Sequence, residues 1–351
     1  MADQKTTIDK VLTLMPDSHL GNLVVALPAI VAVRDHFQAA AHYFVFDDAF
    51  REIVEPLLDH RQTLFYPRRM ANEGSVLARM FVYFRFLLRI KKIHPQLTID
   101  LDGGSTSSIL TQVARAARSF SRASAERPDV YSRTVAPPSG SHKFFQYAVV
   151  TTAAGVPVDD GVFRFQATEE KRQAVRQKLH DAGIDPARPL VCLHVGGGRK
   201  QKLWPVEHFA ELASRLLDQG HQVLFFGGER EREKNKAVIA RLSRPVANLA
   251  GTLTLGEQLA LLDEKRIFIG SDNGLIHLAA AGGAAVVALF SYADEREWGP
   301  RSERAIVLRG QERCPDCNPK KCAEPRCINT LSVDRVMQAI AAWLVPSSAV
   351  L

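Results

Sequence analysis

Short apolar runs alternate along this chain with longer stretches of helical periodicity. "KVLTLMP" (Lys10–Pro16), "HYFVFDD" (His42–Asp48) and "LTIDLDGG" (Leu97–Gly104) are nearly continuous apolar runs, the pattern of parallel strands covered on both faces. The first run is expected to pass through a turn at Gly21 into a helix starting near Pro28. The third leads into a helix over "SSILTQVARAARSF" (Ser107–Phe120). Residues 121–141 are rich in Ser, Arg and Pro and read as irregular, and a helix is expected over His142–Ala154. "KRQAVRQKLHDAGIDPARP" (Lys171–Pro189) reads as a linking helix ended by Gly183 and Pro186.

The same alternation then begins again. "PLVCLHVGGG" (Pro189–Gly198) is a strand running into glycines, and "VEHFAELASRLLDQG" (Val206–Gly220) is an amphipathic helix. "HQVLFFGGERE" (His221–Glu231), "RIFIGSDNGLIHLAAAGG" (Arg266–Gly283) and "AAVVALF" (Ala284–Phe290) continue strand, turn, helix, strand. Strands alternating with helices imply a parallel sheet wound by crossovers. A length of 351 residues suits two such units better than one, because single cores seldom grow beyond about 250–300 residues. The expected boundary falls at 168/169.

Composition narrows the function class. Lys and Arg number 45 against 38 Asp and Glu, a net charge of +7, which favours an anionic partner. Nucleic acid would satisfy that charge but leaves the ordered strand–glycine–helix turns unexplained, so no nucleic-acid partner is expected. The N-terminal "MADQKTTIDK" lacks the apolar core of a signal peptide, and no uncharged apolar run reaches the roughly 20 residues of a spanning helix. A cytoplasmic location is the expectation.

Three segments carry candidate chemistry. In "HVGGGRKQKLWPVEHF" (His194–Phe209), Gly196 and Gly197 let backbone N–H groups approach a ligand, and Lys202 places a cation in the same loop ahead of a helix N-terminus. In "GSDNGLIHLAAAGG" (Gly270–Gly283), Asp272 directly follows a buried strand, Asn273, Gly274 and Leu275 form the turn, and His277 lies on the first helical turn. In "FFGGERERE" (Phe225–Glu233), Glu229 follows a strand and a glycine pair, where an acid can hold ribose hydroxyls. Each has a bland alternative: a tight turn, a helix cap or an acidic helix start.

These pieces, with "LGNLVVALPAI" (Leu20–Ile30), "NLAGTLTLGEQLALL" (Asn248–Leu262) and "WGP" (Trp298–Pro300), resemble glycosyltransferase family 9, the ADP-heptose:lipopolysaccharide heptosyltransferases. The resemblance is strong in the second half and looser between Asp48 and Thr168. It implies an α/β GT-B fold, two Rossmann-like domains facing each other across a cleft. Residues 1–168 would bind the acceptor. Residues 169–351 would bind the nucleotide sugar and carry a cysteine-rich segment, 314–327.

The resemblance further implies inverting transfer, without a required cofactor, from a nucleotide-diphosphate sugar such as ADP-heptose to a lipopolysaccharide-core or related glycan. Lys202 would hold phosphate, Glu229 ribose and Asp272 sugar hydroxyls, with Gly274, Leu275 and His277 at the diphosphate. The family's general base is an aspartate directly after the glycine of the first turn, where this chain has Asn22, an amide that cannot take up a proton. Three alternatives follow. The base has moved, first to Asp17 or next to His19, with Asp100 and Asp102 on a neighbouring strand. Or transfer proceeds without a strong base. Or the protein binds the donor without transferring it.

Two further features stand outside that scheme. Cys314, Cys317, Cys322 and Cys327 are spaced C-x2-C-x4-C-x4-C, a pattern that can close a structural zinc site; iron–sulfur ligation and a reduced loop are the alternatives. "VLARMFVYFRFLLRIKK" (Val76–Lys92) is apolar but broken by Arg79, Arg85, Arg89, Lys91 and Lys92. It reads either as a core helix with one wet basic face or as a surface for peripheral contact with the inner membrane. Arg68 and Arg69 just upstream would add to its positive charge.

Overall fold

The computed structural model describes residues 8–58, 62–68, 75–263, 265–311, 314 and 317–344. The chain forms two compact units, Met1–Gly161 and Val162–Leu351. The boundary lies seven residues ahead of the expected one, because the segment before the linking helix already belongs to the second unit. There Phe165 is buried, and its N–H donates to the Ala281 carbonyl (3.1 Å).

In the first unit six strands, β1 (Lys10–Met15), β2 (Ala41–Asp47), β3 (Thr63–Tyr66), β4 (Leu97–Asp100), β5 (Arg118–Arg122) and β6 (Arg133–Val135), form one sheet in the order β3-β2-β1-β4-β5-β6. In the second, β7 (Leu190–His194), β8 (Gln222–Phe225), β9 (Ala247–Asn248), β10 (Arg266–Ser271), β11 (Ala285–Phe290) and β12 (Ala305–Arg309) follow the order β12-β11-β10-β7-β8-β9. Every pairing is parallel. Counted from its own first strand, each sheet therefore has the doubly wound order 3-2-1-4-5-6. Winding reverses between β1 and β4 in one unit and between β7 and β10 in the other, and ligands of such sheets bind at the strand ends beside that reversal.

Three sequence expectations are corrected. The first helix, α1, spans Leu20–His36 with Pro28 inside it, so Gly21 and Asn22 lie in its first turn rather than in a loop before Pro28. An apolar stretch from Leu23 to Val33, buried at eight positions, holds the helix through the proline. The helix beginning at Ser105 ends at Ala114, where Arg115 adopts φ 53°, and "RSF" belongs to β5. The stretch read as irregular contains the end of β5 and the whole of edge strand β6. Three-residue strands rich in Ser and Arg carry too little pattern to be read.

The helix over Val76–Ile93, here α2, forms as read, with the Ser75 hydroxyl accepting the Ala78 N–H at its start (3.3 Å). Phe86, Ile90 and Ile93 join Leu12, Leu14 and Val45 in the core of the first unit. Among the described residues, no helix is long and apolar enough to cross a membrane.

In the second unit two helix ends pack closely. A Cβ at Gly282, the last residue of the helix Gly274–Gly282, would sit 2.4 Å from the Leu262 carbonyl oxygen, a backbone atom that cannot turn aside. Gly282→Ala is expected to destabilise the protein by about 1–3 kcal/mol in urea unfolding. Gly198→Ala, where a Cβ meets nothing within 4 Å, should stay within about 0.5 kcal/mol of the parent.

Candidate functional site

Both reversal points collect polar side chains. In the first unit the chain leaves β1 at Met15 and enters α1 at Leu20, and the four residues between them are built around Asp17. Its Oδ1 accepts the His19 backbone N–H (2.7 Å) and lies 2.6 Å from His19 Nδ1, and its Oδ2 accepts from Asn22 Nδ2 (2.5 Å). A carboxylate offers about four lone-pair positions, so about one remains for another donor. Asp17 is largely covered and His19 is open to solvent. Of the three residues named from sequence, Asp17 is thus the centre, and Asn22 and His19 orient it. Arg68 is drawn inward to Asp47 and to the Pro16 carbonyl (2.6 Å), so it braces this segment rather than adding surface charge. Arg69 lies outside the described residues.

Across the reversal, β4 ends in Asp100, which sits opposite Leu14 in the sheet register. Asp100 is fully buried and accepts the N–H groups of Asp102 (3.0 Å) and Gly103 (2.9 Å) and the Tyr131 hydroxyl (2.5 Å). It therefore shapes the turn and does not meet solvent. Burial, followed by the nearby Asp102 charge, pushes its pKa up to about 7. Asp102 is raised by burial and by the Asp17 charge, with Arg122 opposing. Tyr147, on the helix Lys143–Ala153, is raised by burial and feels Asp17, Arg122 and Asp102. Asp17, Asp102, Arg122 and Tyr147 thus form one electrostatic cluster from four separate chain segments. Gly103 makes it possible: its φ is +64°, and a Cβ there would lie 2.8 Å from Arg122 Nε. Neither Arg122 nor Tyr147 carries a local sequence signal, because only the folded sheet brings them to the β1 end.

In the second unit, Lys202 Nζ is 2.5 Å from Asp272 Oδ2, both well covered, and stands over the Tyr292 ring at 5.6 Å. The residues read as separate phosphate and sugar ligands are therefore paired with each other. Asn273 caps the helix Gly274–Gly282 by accepting the Leu275 N–H (2.8 Å). Its Nδ2 faces the Ser271 carbonyl (2.8 Å), His194 Nδ1 (3.2 Å) and the Gly196 carbonyl (3.3 Å). One amide thus fastens the glycine loop after β7 to the helix start after β10. The Leu275 N–H is engaged by that cap, and His277 is buried inside its helix.

His194, passed over in the sequence as a strand end, is a fully packed part of this site. Burial, then the Lys234 charge, lowers its pKa to about 4, so it is neutral near pH 7 and its Nδ1 can accept from Asn273. Gly196 serves close packing: a Cβ there would come within 2.6 Å of both His194 and Glu231. Gly197 has room only up to the Leu203 side chain at 3.0 Å, whereas Gly198 is open. Glu229 is exposed and paired with Arg232 (2.9 Å).

Cys314 and Cys317 are exposed, Cys322 and Cys327 half-buried, and all are free thiols. Among the described residues, no three His, Cys, Asp or Glu side chains converge as metal ligands. Burial, then the neighbouring thiols of Cys317, Cys314 and Cys322, raises the Cys327 pKa. The cysteine segment is tied to the loop after β7 by Gln201 Nε2, which donates to the Cys322 carbonyl (3.2 Å).

Comparison with known proteins finds a match to the model of "Glycosyltransferase family 9 (heptosyltransferase)" over residues 84–328. The chain is similar to lipopolysaccharide heptosyltransferase 2 of Escherichia coli K12, 35% identical over 112 residues, 31% of this chain and 32% of that protein. Its matches to the heptosyltransferase 2 proteins of E. coli K12, Salmonella typhimurium and Haemophilus influenzae span about a third to a half of their length. Its fold is that of a family 9 glycosyl transferase from Veillonella parvula (TM-score 0.81, 18% identity, 96% of this chain and 97% of that one). It is also that of E. coli ADP-heptose lps heptosyltransferase II (TM-score 0.76, 18% identity, 97% and 100%).

The buried Asp100 makes the first unit sensitive to pH. Its folded-state pKa lies above its ordinary value of 3.8, so the folded chain holds a proton that the unfolded chain releases. Stability should fall as pH rises from about 4 to about 7, by up to about 1.4 kcal/mol per pH unit. Urea unfolding across that range should show this contribution to the slope in the parent and its loss in Asp100→Asn.

Proposed function

The chain belongs to glycosyltransferase family 9, and on that premise we propose that it is a heptosyltransferase of lipopolysaccharide-core synthesis. The donor is a nucleotide-diphosphate sugar, ADP-heptose, bound by the second unit. The acceptor is a hydroxyl of a lipopolysaccharide-core or related glycan, bound by the first. Support for donor and acceptor comes from the relatives, whose names are lipopolysaccharide heptosyltransferase and ADP-heptose heptosyltransferase.

The observation that carries catalysis over mere binding is the set of hydrogen bonds to Asp17. An amide at Asn22 cannot accept a proton, but here its Nδ2 donates to a carboxylate that can. In the proposed reaction the acceptor hydroxyl donates to the remaining lone pair of Asp17 and attacks the anomeric carbon. The new carbon–oxygen bond forms as the bond to the diphosphate breaks, on opposite faces of that carbon, so the configuration inverts. The bonding pair leaves with the diphosphate and the hydroxyl proton passes to Asp17.

On the donor side, Lys202 keeps two N–H donors beyond its bond to Asp272. With the open backbone at Gly198 and the helix start at Gly274, they would offset the charge developing on the departing diphosphate. Asp272 would meet sugar hydroxyls and Glu229 the ribose. The scheme requires no metal.

The test is turnover of ADP-heptose on a heptose-deficient lipopolysaccharide core, followed as ADP release. Asp17→Asn should lower kcat by about 10²–10⁴-fold with little change in donor KM. Asn22→Asp should remain active, with the acidic limb of its pH–rate profile moved to higher pH, because a second carboxylate disfavours ionisation of the first. Tight donor binding by the parent without ADP release would instead mark a nucleotide-sugar-binding protein that has lost transfer.

A further inference from the structure

Exposed apolar surface is concentrated on one helix. Of the seven large hydrophobic residues most exposed among those described, six are on α2: Val76, Leu77, Met80, Phe81, Phe84 and Leu88. Phe81 and Phe84 are 60% and 58% exposed and Leu77 is 79% exposed. At about 100° per residue, these six fall within an arc of about 140°. Phe86, Ile90 and Ile93, which anchor the helix in the core, lie on the opposite side. Residues 75–81 are exposed without exception, so the first two turns stand clear of the domain. Single exposed apolar side chains are ordinary, but a contiguous face of this kind marks an interaction surface.

The charges around this face specify what it meets. The helix contains no Asp or Glu, and Arg79, Arg85, Arg89, Lys91 and Lys92 are all on it and exposed. Arg85, Arg89 and Lys92 run along one margin of the apolar arc, with Arg85 against the Phe81 ring at 5.6 Å. Aromatic and aliphatic side chains bordered by cations suit the boundary between acyl chains and anionic headgroups. The helix is not apolar enough to cross a bilayer, so it would lie in the interface plane. A second copy fits less well, because an antiparallel twofold contact through this face would bring one cationic margin against the other.

We propose that α2 is a membrane-docking helix that inserts Leu77, Met80, Phe81 and Phe84 into an anionic lipid surface, with Arg85, Arg89 and Lys92 on the headgroups. The proposal stands on this face alone and is independent of the transferase reading. Its test uses the full chain without any sugar substrate. Flotation is measured with phosphatidylcholine vesicles and with vesicles of phosphatidylcholine and phosphatidylglycerol. The parent should float with the anionic vesicles and dissociate as salt is raised. Phe81→Ser/Phe84→Ser should partition roughly a hundredfold more weakly. Arg85→Glu/Arg89→Glu should lose at least roughly tenfold on anionic vesicles only. All three proteins should share one thermal midpoint, since every altered side chain is exposed.

Failure of the parent to float with anionic vesicles overturns the proposal. So does undiminished binding by the phenylalanine variant. A parent that sediments as a dimer and ignores vesicles, with Phe81→Ser/Phe84→Ser monomeric, assigns the face to a second copy instead and overturns the membrane reading.

Discussion

The site in each unit depends on one constraint of parallel sheets: where the winding reverses, two adjacent strands send their chains to opposite faces and leave a gap at their ends. Backbone groups in that gap have no strand neighbour, so side chains must bridge it. In the second unit Asn273 bridges it, capping the helix after β10 while its amide donors face the loop after β7. A hydroxyl at that position could cap the helix but could not also span to the Gly196 carbonyl. In the first unit the gap is closed by Asp100 and the Tyr131 hydroxyl on one side and by Asp17 with Asn22 on the other. Buried polar groups of this kind must be satisfied together, because each one left without a partner costs about 1–3 kcal/mol.

That constraint explains which parts of the structure could be read in the sequence. β1, β2, β4, β7, β10 and β11 are buried throughout or nearly so, and their apolar runs announce them. β3, β6 and β9 hold two to four residues with half-buried patterns, and nothing in such short segments distinguishes strand from loop. Pro28 misled for a physical reason. Proline favours a first turn, but an interior proline is tolerated when the surrounding helix is held by burial on nearly every side.

The residues proposed for the donor side stand out in the sequence because they follow buried strands within a few positions. The partners of Asp17 were only half legible. Asn22 and His19 are local and Asp102 stood out just past β4, but Arg122 and Tyr147 arrive from β5 and a helix some 130 residues away along the chain and leave no spacing to detect. The Lys202–Asp272 pair has the same character: each residue stands out alone, and their 2.5 Å contact is a property of the fold. α2 shows the reverse failure. Its apolar and basic composition was plain, but sequence could not say which face the core takes, and the core takes the smaller one.

The amide at position 22, where the family resemblance leads one to expect a carboxylate, is best understood through the charges that surround it. The Asp17 charge already acts on Asp102, and Arg122 is the cation set against it. A third carboxylate in the first turn of α1 would crowd this cluster, and like charges within a few ångströms cannot all ionise freely. Asn22 avoids that conflict and contributes a donor where a carboxylate would contribute another acceptor. The proposed proton-accepting role can thus sit at Asp17, five residues earlier, with the amide fixing one of its oxygens. A base at Asp17, as proposed, would keep that role at the end of β1, a place set by the sheet rather than by the identity of any one residue.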